Sequence, residues 1–445
     1  MTPGVVGGAS LPGAAGAESA SVAAAGDVDE QEIHLLLLTG RLLLEYCEAT
    51  PGVERTLYAL AANLGREIRV TAGYRNLTIY LRCGDHFEGR VSRFTPELKI
   101  NMRMITDVHD VIRRLERRQA TLGETLQALE RLSEAPPHAN RWLAAGMLAV
   151  AAASLAGIFG GDEACAATAA GATALGVLLR QELARRRFNM FFLPFSAALL
   201  GAVLGSLVIR AGWTRTPDLC LLVPSLVLVP GVHILNAAYD LFENHMPLAL
   251  ARAALSLSIL GAIAFGLLLG SAATGHLLAV SSPATTIPLP AALTFAALAS
   301  AGFGVFFNVP VRLLWACVLC GVAGHAARDF AAAAGLDLAW ATLAASATVG
   351  VLTALLRELF HAPFAAIAFG AVVPLVPGAL ILRAASGTID LVAQGASAPP
   401  HLLVETAVAG IYAGLVLLAI AVGLLTPVAL VRRSPRNNPG PPLGV

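Results

Sequence analysis

Leu228-Val229-Pro230-Gly231 and Leu375-Val376-Pro377-Gly378 repeat one tetrapeptide 147 residues apart, each inside a long apolar run. A proline inside a helix removes a backbone hydrogen bond and clashes with the preceding turn, at a cost of about 3 kcal/mol. The glycine beside it leaves backbone uncovered. In hydrocarbon, freed N–H and C=O groups are tolerated only where protein or trapped water satisfies them. Such breaks offer the partial charges of helix ends to a small polar solute, and a zwitterion or a carboxylate suits them. Pro230, Gly231, Pro377 and Gly378 are therefore candidate substrate-binding positions. His233, Asn236 and Asp240 follow the first break and fall along one helix face. A carboxylate at membrane depth costs about 2.5–3.5 kcal/mol and usually faces a cavity or a partner. Asp240 and the deeper His233 are candidates for proton coupling. The plain alternatives are an interfacial carboxylate and a packing histidine. Asn236 joins the binding set, as does Asn308 beside Pro310, which reads either as a helix cap or as a cavity group.

These residues need apolar helices to hold them. The chain has 445 residues, 56% hydrophobic and 13% charged, against about 25% charge in a soluble chain. The charge concentrates in residues 31–140. Stretches free of Asp, Glu, Lys and Arg run over 142–161, 164–179, 188–209, 219–239, 253–275, 288–311, 313–327, 338–356, 361–382 and 407–430. A spanning helix needs about 20 apolar residues, so these are ten candidate transmembrane helices, two of them short. The starts in the second half follow those in the first by close to the spacing of the two breaks. Two five-helix units result. Five crossings bring the chain into its second unit from the opposite face, so the repeats are inverted. Arg180, Arg185, Arg186, Arg187, Arg312, Arg357, Arg432, Arg433 and Arg436 outnumber the arginines of the other side, which puts both termini in the cytoplasm.

The fold class expected is thus a polytopic α-helical membrane protein. Its ten transmembrane helices form two inverted five-helix repeats, 141–276 and 287–432, preceded by a small cytosolic α+β domain at 31–140. Residues 1–30 read as a disordered tail without a signal peptide, and 433–445 as a cytosolic tail. Within 31–140 the spacing predicts an amphipathic helix over 31–48 and a second over 50–63 with Thr50 as its cap. A hairpin around Gly73, a third strand at 91–94 and helices over 105–118 and 122–132 follow. His34, His86 and His109 lie near Glu45, Glu48, Asp85 and Asp110 in sequence, but no catalytic or nucleotide-binding motif is present. No catalytic residue, metal site or cofactor is expected. Cys317-x-x-Cys320 lies in an apolar run and reads as small residues in a packed helix. The run from Arg113 to Arg118 reads as a solvated helix face.

Taken in order, these motifs resemble the threonine/serine exporter family, and the related two-protein systems in which a longer soluble-plus-membrane protein works with a short membrane one. The likeness covers roughly residues 33–432. The longer partner's pattern is similar at Gly40-Arg41-Leu42-Leu43-Leu44-Glu45, Val53-Glu54-Arg55-Thr56-Leu57, Phe159-Gly160-Gly161-Asp162, Arg187-Phe188-Asn189, the first break through Asn236 and Asp240, and Arg252. The short partner's pattern is similar at Phe306-Phe307-Asn308-Val309-Pro310-Val311-Arg312 and Val373-Pro374-Leu375-Val376-Pro377-Gly378. The chain looks like both partners fused. It departs from the family at Tyr46–Gly52, where a small apolar-Gly-Ala segment is usual, and at Val227, where a proline often stands as Pro374 does. The resemblance implies proton-driven export of threonine and serine from the cell across its inner (plasma) membrane. Relatives of the fused type imply short dicarboxylates instead. Expected partners are a small amino acid or carboxylate substrate, protons, the lipid bilayer and, as an open alternative, further copies of the chain. The net charge of +1 points to no nucleic acid. A reading of another class is a membrane-anchored enzyme or sensor acting through residues 31–140. A mere anchor needs one or two spans and no matched breaks, which favours export.

Overall fold

The computed structural model describes residues 14–83, 85–94, 100–274 and 287–432; the linker around 281–286 and the 433–445 tail lie outside them. The N-terminal unit is built from α1 (Ala14–Glu45), α2 (Thr50–Asn63), strands β1 (Ile68–Ala72), β2 (Asn76–Cys83) and β3 (His86–Arg93), then α3 (Met102–Glu116) and α4 (Leu122–Glu134). The strands form an antiparallel meander in which Ile68 pairs with Leu81 and Thr78 with Val91. Alternation on β2 turns Leu77, Ile79 and Leu81 inward, onto Leu36, Leu43, Leu57 and Met104. Gly40 makes this meeting possible, because a Cβ there would strike Leu77 and Leu57. The first family-like motif is thus a packing device. Helix α1 begins at Ala14, further toward the N terminus than the amphipathic spacing implied. Thr50 does not cap α2: the N-cap is Ala49, and the Thr50 hydroxyl accepts instead from Arg252 at 3.3 Å. The Arg113–Arg118 run is more than a solvated face, since Arg113 holds Asp110 and the His361 carbonyl.

Twelve helices make the membrane part: α5 (Arg141–Ile158), α6 (Glu163–Arg185), α7 (Phe192–Arg210), α8 (Pro217–Leu226), α9 (Gly231–Phe242), α10 (Met246–Thr274), α11 (Leu289–Phe306), α12 (Val311–Ala333), α13 (Leu338–Phe360), α14 (Phe364–Val372), α15 (Gly378–Gln394) and α16 (Pro400–Arg432). Seven of them are long and apolar enough to cross a membrane, and nine spans result if the bent pairs α8/α9 and α14/α15 each count as one. This is one fewer than the ten expected. The difference is α6, which is rich in Ala, Gly and Thr and ends in Arg180, Gln181, Glu182 and Arg185. Between these helices the buried residues are mostly small: Ala144, Ala151, Ala156 and Gly157 on α5, Ala198, Gly201 and Gly205 on α7. Leu143, Leu257, Phe265 and Leu355 point outward. That is the reverse of the N-terminal unit and suits lipid, where small residues let helices approach closely.

Packing repeats between the halves. Helix α5 lies on α6, α6 on α7, α7 on α10 and α9 on α10; likewise α11 lies on α12, α12 on α13, α13 on α16 and α15 on α16. The halves meet where α5 crosses α11 and α8 meets α15, while α10 touches α15 and α16 touches α9. The α5–α11 crossing is close. A Cβ at Gly302 would strike the Met147 carbonyl and sit 2.8 Å from the Ala151 Cβ, and one at Gly157 would meet the Phe295 ring.

Candidate functional site

Both Pro-Gly steps break their helices, and in the same way. Helix α8 ends at Leu226 and the chain bends by 62° before α9; the bend from α14 into α15 is 55°. Pro230 has φ −77° and ψ 59°, and Pro377 has φ −76° and ψ 52°. The Gly231 N–H donates to the Val229 carbonyl at 2.8 Å, and the Gly378 N–H to the Val376 carbonyl at 2.7 Å. These are inverse γ-turns centred on proline, whose ring already fixes the φ they require. Each helix then restarts, with Ile234 and Ile381 donating to the carbonyls of Pro230 and Pro377 at 3.0 Å. A fresh helix start leaves N–H groups without intrahelical partners, and here no side chain caps them.

The breaks lie against one another. A Cβ on Gly231 would stand 3.5 Å from Val373 and Val376; one on Gly378 would stand 3.2 Å from Leu226 and 3.5 Å from Val229. Leu226 and Val373, Val229 and Val376, and Gly231 and Gly378 each lie 147 positions apart. Each break therefore rests on the residues that precede the other.

Beside the first break opens a cavity of about 390 Å³, lined by Val227 through His233 and by Arg180, Gln181, Asn101, His138 and Asn308. Three buried polar atoms on its lining residues have no hydrogen-bond partner: Arg180 Nε, Gln181 Oε1 and His233 Nε2. Arg180 is the one guanidinium among the described lining residues. A cation, a helix start and an unsatisfied amide carbonyl can bind a carboxylate and a neighbouring donor.

The other predicted residues turn elsewhere. The Asn236 Nδ2 donates to the Cys47 carbonyl at 2.9 Å, and Oδ1 has no partner. Asp240 is fully buried; its Oδ2 accepts from Arg252 at 2.5 Å. The Asn236 contact reaches the turn after α1, where Cys47 takes a left-handed φ of 73° and Glu48 N donates to the Leu43 carbonyl, and Arg252 reaches Thr50 just beyond it. Glycine usually closes such a helix end. With cysteine there, the turn is strained and its carbonyl is aimed at α9. Burial pushes the Cys47 thiol up to about 12, partly offset by Arg252, so it stays protonated. Asn308 is both things the sequence allowed. It ends α11 at φ 55° and lines the cavity, while its Nδ2 donates to Asn101 Oδ1 and the Pro137 carbonyl at 2.8 Å. Pro230, Gly231, His233 and Asn308 thus share the cavity; Pro377 and Gly378 meet the break from behind; Asn236 and Asp240 bind the N-terminal unit.

Sequence reasoning missed Arg180 and Gln181 as cavity residues. A usable signal existed, since Arg328 occupies nearly the equivalent place on α12, and each arginine follows a long stretch of helix free of charge. The histidines of the N-terminal unit are dispersed, His34 beside Glu130, His86 beside Glu88 and His109 beside Glu48. Among the described residues no group of three metal-ligating side chains occurs. Cys317 and Cys320 are buried in α12, where Cys317 donates to the Ala366 carbonyl.

Residues 34–274 match the family model of the threonine/serine exporter ThrE, and residues 292–430 match a second model, described as threonine/serine exporter ThrE. No solved structure matches the chain.

Proposed function

Because the chain belongs to the threonine/serine exporter family, a family of transporters rather than enzymes, we propose that it is a proton-driven exporter of serine and threonine whose substrate sits in the cavity at the first helix break. The observation that carries this reading is the pair of matched γ-turn breaks, each seated on the residues before the other. In the site so formed the substrate carboxylate meets Arg180 and the start of α9. His233 lies within reach as the proton carrier, and Asp240, clamped by Arg252, is the second candidate for coupling. A single guanidinium favours one carboxylate over two, and so an amino acid over a short dicarboxylate.

We further infer ten spans in two inverted units, counting α6 and each bent pair as one. The pairing of α5 to α10 with α11 to α16 in the packing pattern supports this. Both termini and residues 31–140 then lie in the cytoplasm of a cell whose inner membrane holds the protein. The cavity, lined by Asn101 and His138 of the residues before α5, would then face that side. Alternating access would come from rocking one unit against the other.

Everted vesicles carrying the protein test the reading. Labelled serine or threonine should accumulate when a pH gradient is imposed, and Arg180→Gln should abolish this with the protein still inserted. Accumulation of succinate but not serine would replace the amino acid by a dicarboxylate. Turnover by residues 31–140 without any uptake would replace export altogether.

A further inference from the structure

Two cavities away from the break meet at Glu48. One, of about 430 Å³, lies between α2, α3 and the α13–α14 connection, and the other, of about 400 Å³, between the start of α2 and α9, α14 and α16. Glu48, Arg55, Arg357 and Phe364 line both. The Glu48 side chain is only 7% exposed, yet its Oε2 has no hydrogen-bond partner; His109 Nε2 stands 3.8 Å away. On the far side the Tyr239 hydroxyl of α9 is likewise buried and unpartnered. A buried carboxylate oxygen left without a donor is costly. The fold nevertheless keeps room for it. Gly52 faces the carboxylate, and a Cβ there would stand 2.6 Å from Oε1.

We propose that this cleft is a second binding site, for a zwitterionic amino acid, with its ammonium on Glu48 and its carboxylate between Arg357 and Arg55. Charges of both signs line the cleft: Glu48, Glu116, Arg55 and Arg113 on the N-terminal unit, Glu243 after α9, and Arg357, which meets Glu358 at 3.3 Å, at the end of α13. A dicarboxylate would meet Glu48 with like charge, and a diamine would meet the three guanidiniums of Arg55, Arg113 and Arg357. A zwitterion satisfies both ends, and volumes of this size hold small ligands. Tyr239 precedes Asp240 on α9, so a ligand at Glu48 bears on the turn that Arg252 and Thr50 hold. The site would load or sense the solute before it reaches the break. The choice of serine and threonine as its ligands rests on the export reading; the zwitterion class rests on the cleft itself.

Calorimetric titration of the purified full-length protein with L-serine and L-threonine, run beside uptake of labelled L-serine into proteoliposomes, tests it. Two sites per chain are expected. Glu48→Gln and Arg357→Gln should each weaken one of them by roughly tenfold or more, the loss of one charge-assisted bond, and Arg180→Gln should remove the other. Gly52→Ala, which displaces the carboxylate and keeps its charge, should act as Glu48→Gln does. Unfolding midpoints without ligand identify any variant that merely misfolds. Uptake by the wild type with one site, lost in Arg180→Gln and untouched by the three cleft variants, would overturn this inference and leave export standing. Binding lost only in the cleft variants, with no uptake by the wild type, would overturn export and leave the cleft. Absence of both would remove both.

Discussion

Asp240 and Arg252 form a buried ion pair whose partners sit on consecutive helices, with Arg252 also reaching Thr50. Removing one partner of such a pair strands the other charge and costs about 3–5 kcal/mol, whereas replacing both by apolar residues is often nearly neutral. Asp240→Ala should lower the thermal unfolding midpoint sharply, and Asp240→Leu combined with Arg252→Met should recover most of the loss. Asp162 offers a milder case. It caps α6 through Cys165 N at 2.8 Å and accepts from Thr214 and from Arg215 N, tying the α5–α6 loop to the α7–α8 loop. Burial opposes its ionisation, but those hydrogen bonds outweigh it and hold the carboxyl below its usual range. A lowered folded value means stabilisation that is present above the ordinary carboxylate value, about 3.9, and lost as pH falls through the folded one. Asp162→Ala should cost about 1 kcal/mol at pH 7, and the gap from wild type should close as the medium is acidified below about pH 4. Asp240, His233 and Asn236 could be read from the sequence because one helical face gathers them. Glu48 could not, since the residues that line its cleft with it, Tyr239 on α9 and Arg357 on α13, lie far away in the chain.

The broken helices carry the predictions that belong to whole elements. Proline supplies the φ of the γ-turn and withholds an N–H, so Pro230→Ala permits α8 and α9 to join. Export should fall at least tenfold while insertion, read by membrane fractionation, stays normal. Pro377→Ala should act in the same direction, because the first break rests on Val373 and Val376. Positions of both breaks were legible because a Pro-Gly pair inside an apolar run has few structural meanings. The γ-turn and the bend angles were not, since they depend on what each break leans upon. Apolarity found the seven helices and two bent pairs that are long and apolar enough to cross a membrane, and also suggested α6, whose polar end lines the cavity. Most strands and helices of the N-terminal unit were legible from alternation and helical spacing, apart from the start of α1, the first half of β3, which begins at His86 rather than Val91, and the Thr50 cap, which a guanidinium two hundred residues later redirects.

At the scale of the molecule, the N-terminal unit straddles both halves. It holds the first through Cys47 and Thr50, and the second through Met102 N on the Phe307 carbonyl, Asn101 on Asn308, Asp110 on Arg312 and Arg113 on the His361 carbonyl. None of this was legible, because nothing local marks pairs so distant in the chain. A chain lacking residues 1–138 should still insert but export more slowly than the intact protein by at least tenfold, measured in everted vesicles; normal export would make the unit dispensable.

Where α5 crosses α11, Gly302 and Gly157 leave almost nothing between the halves but main chain and one phenyl ring. Surfaces so near interlock only through short side chains and one ring, and they resist being pulled apart. Under the proposed rocking of one unit against the other, that crossing would be the axle, and a single methyl group added by Gly302→Ala, pressed on the Met147 carbonyl, should jam it, freezing one orientation while the ligand still binds.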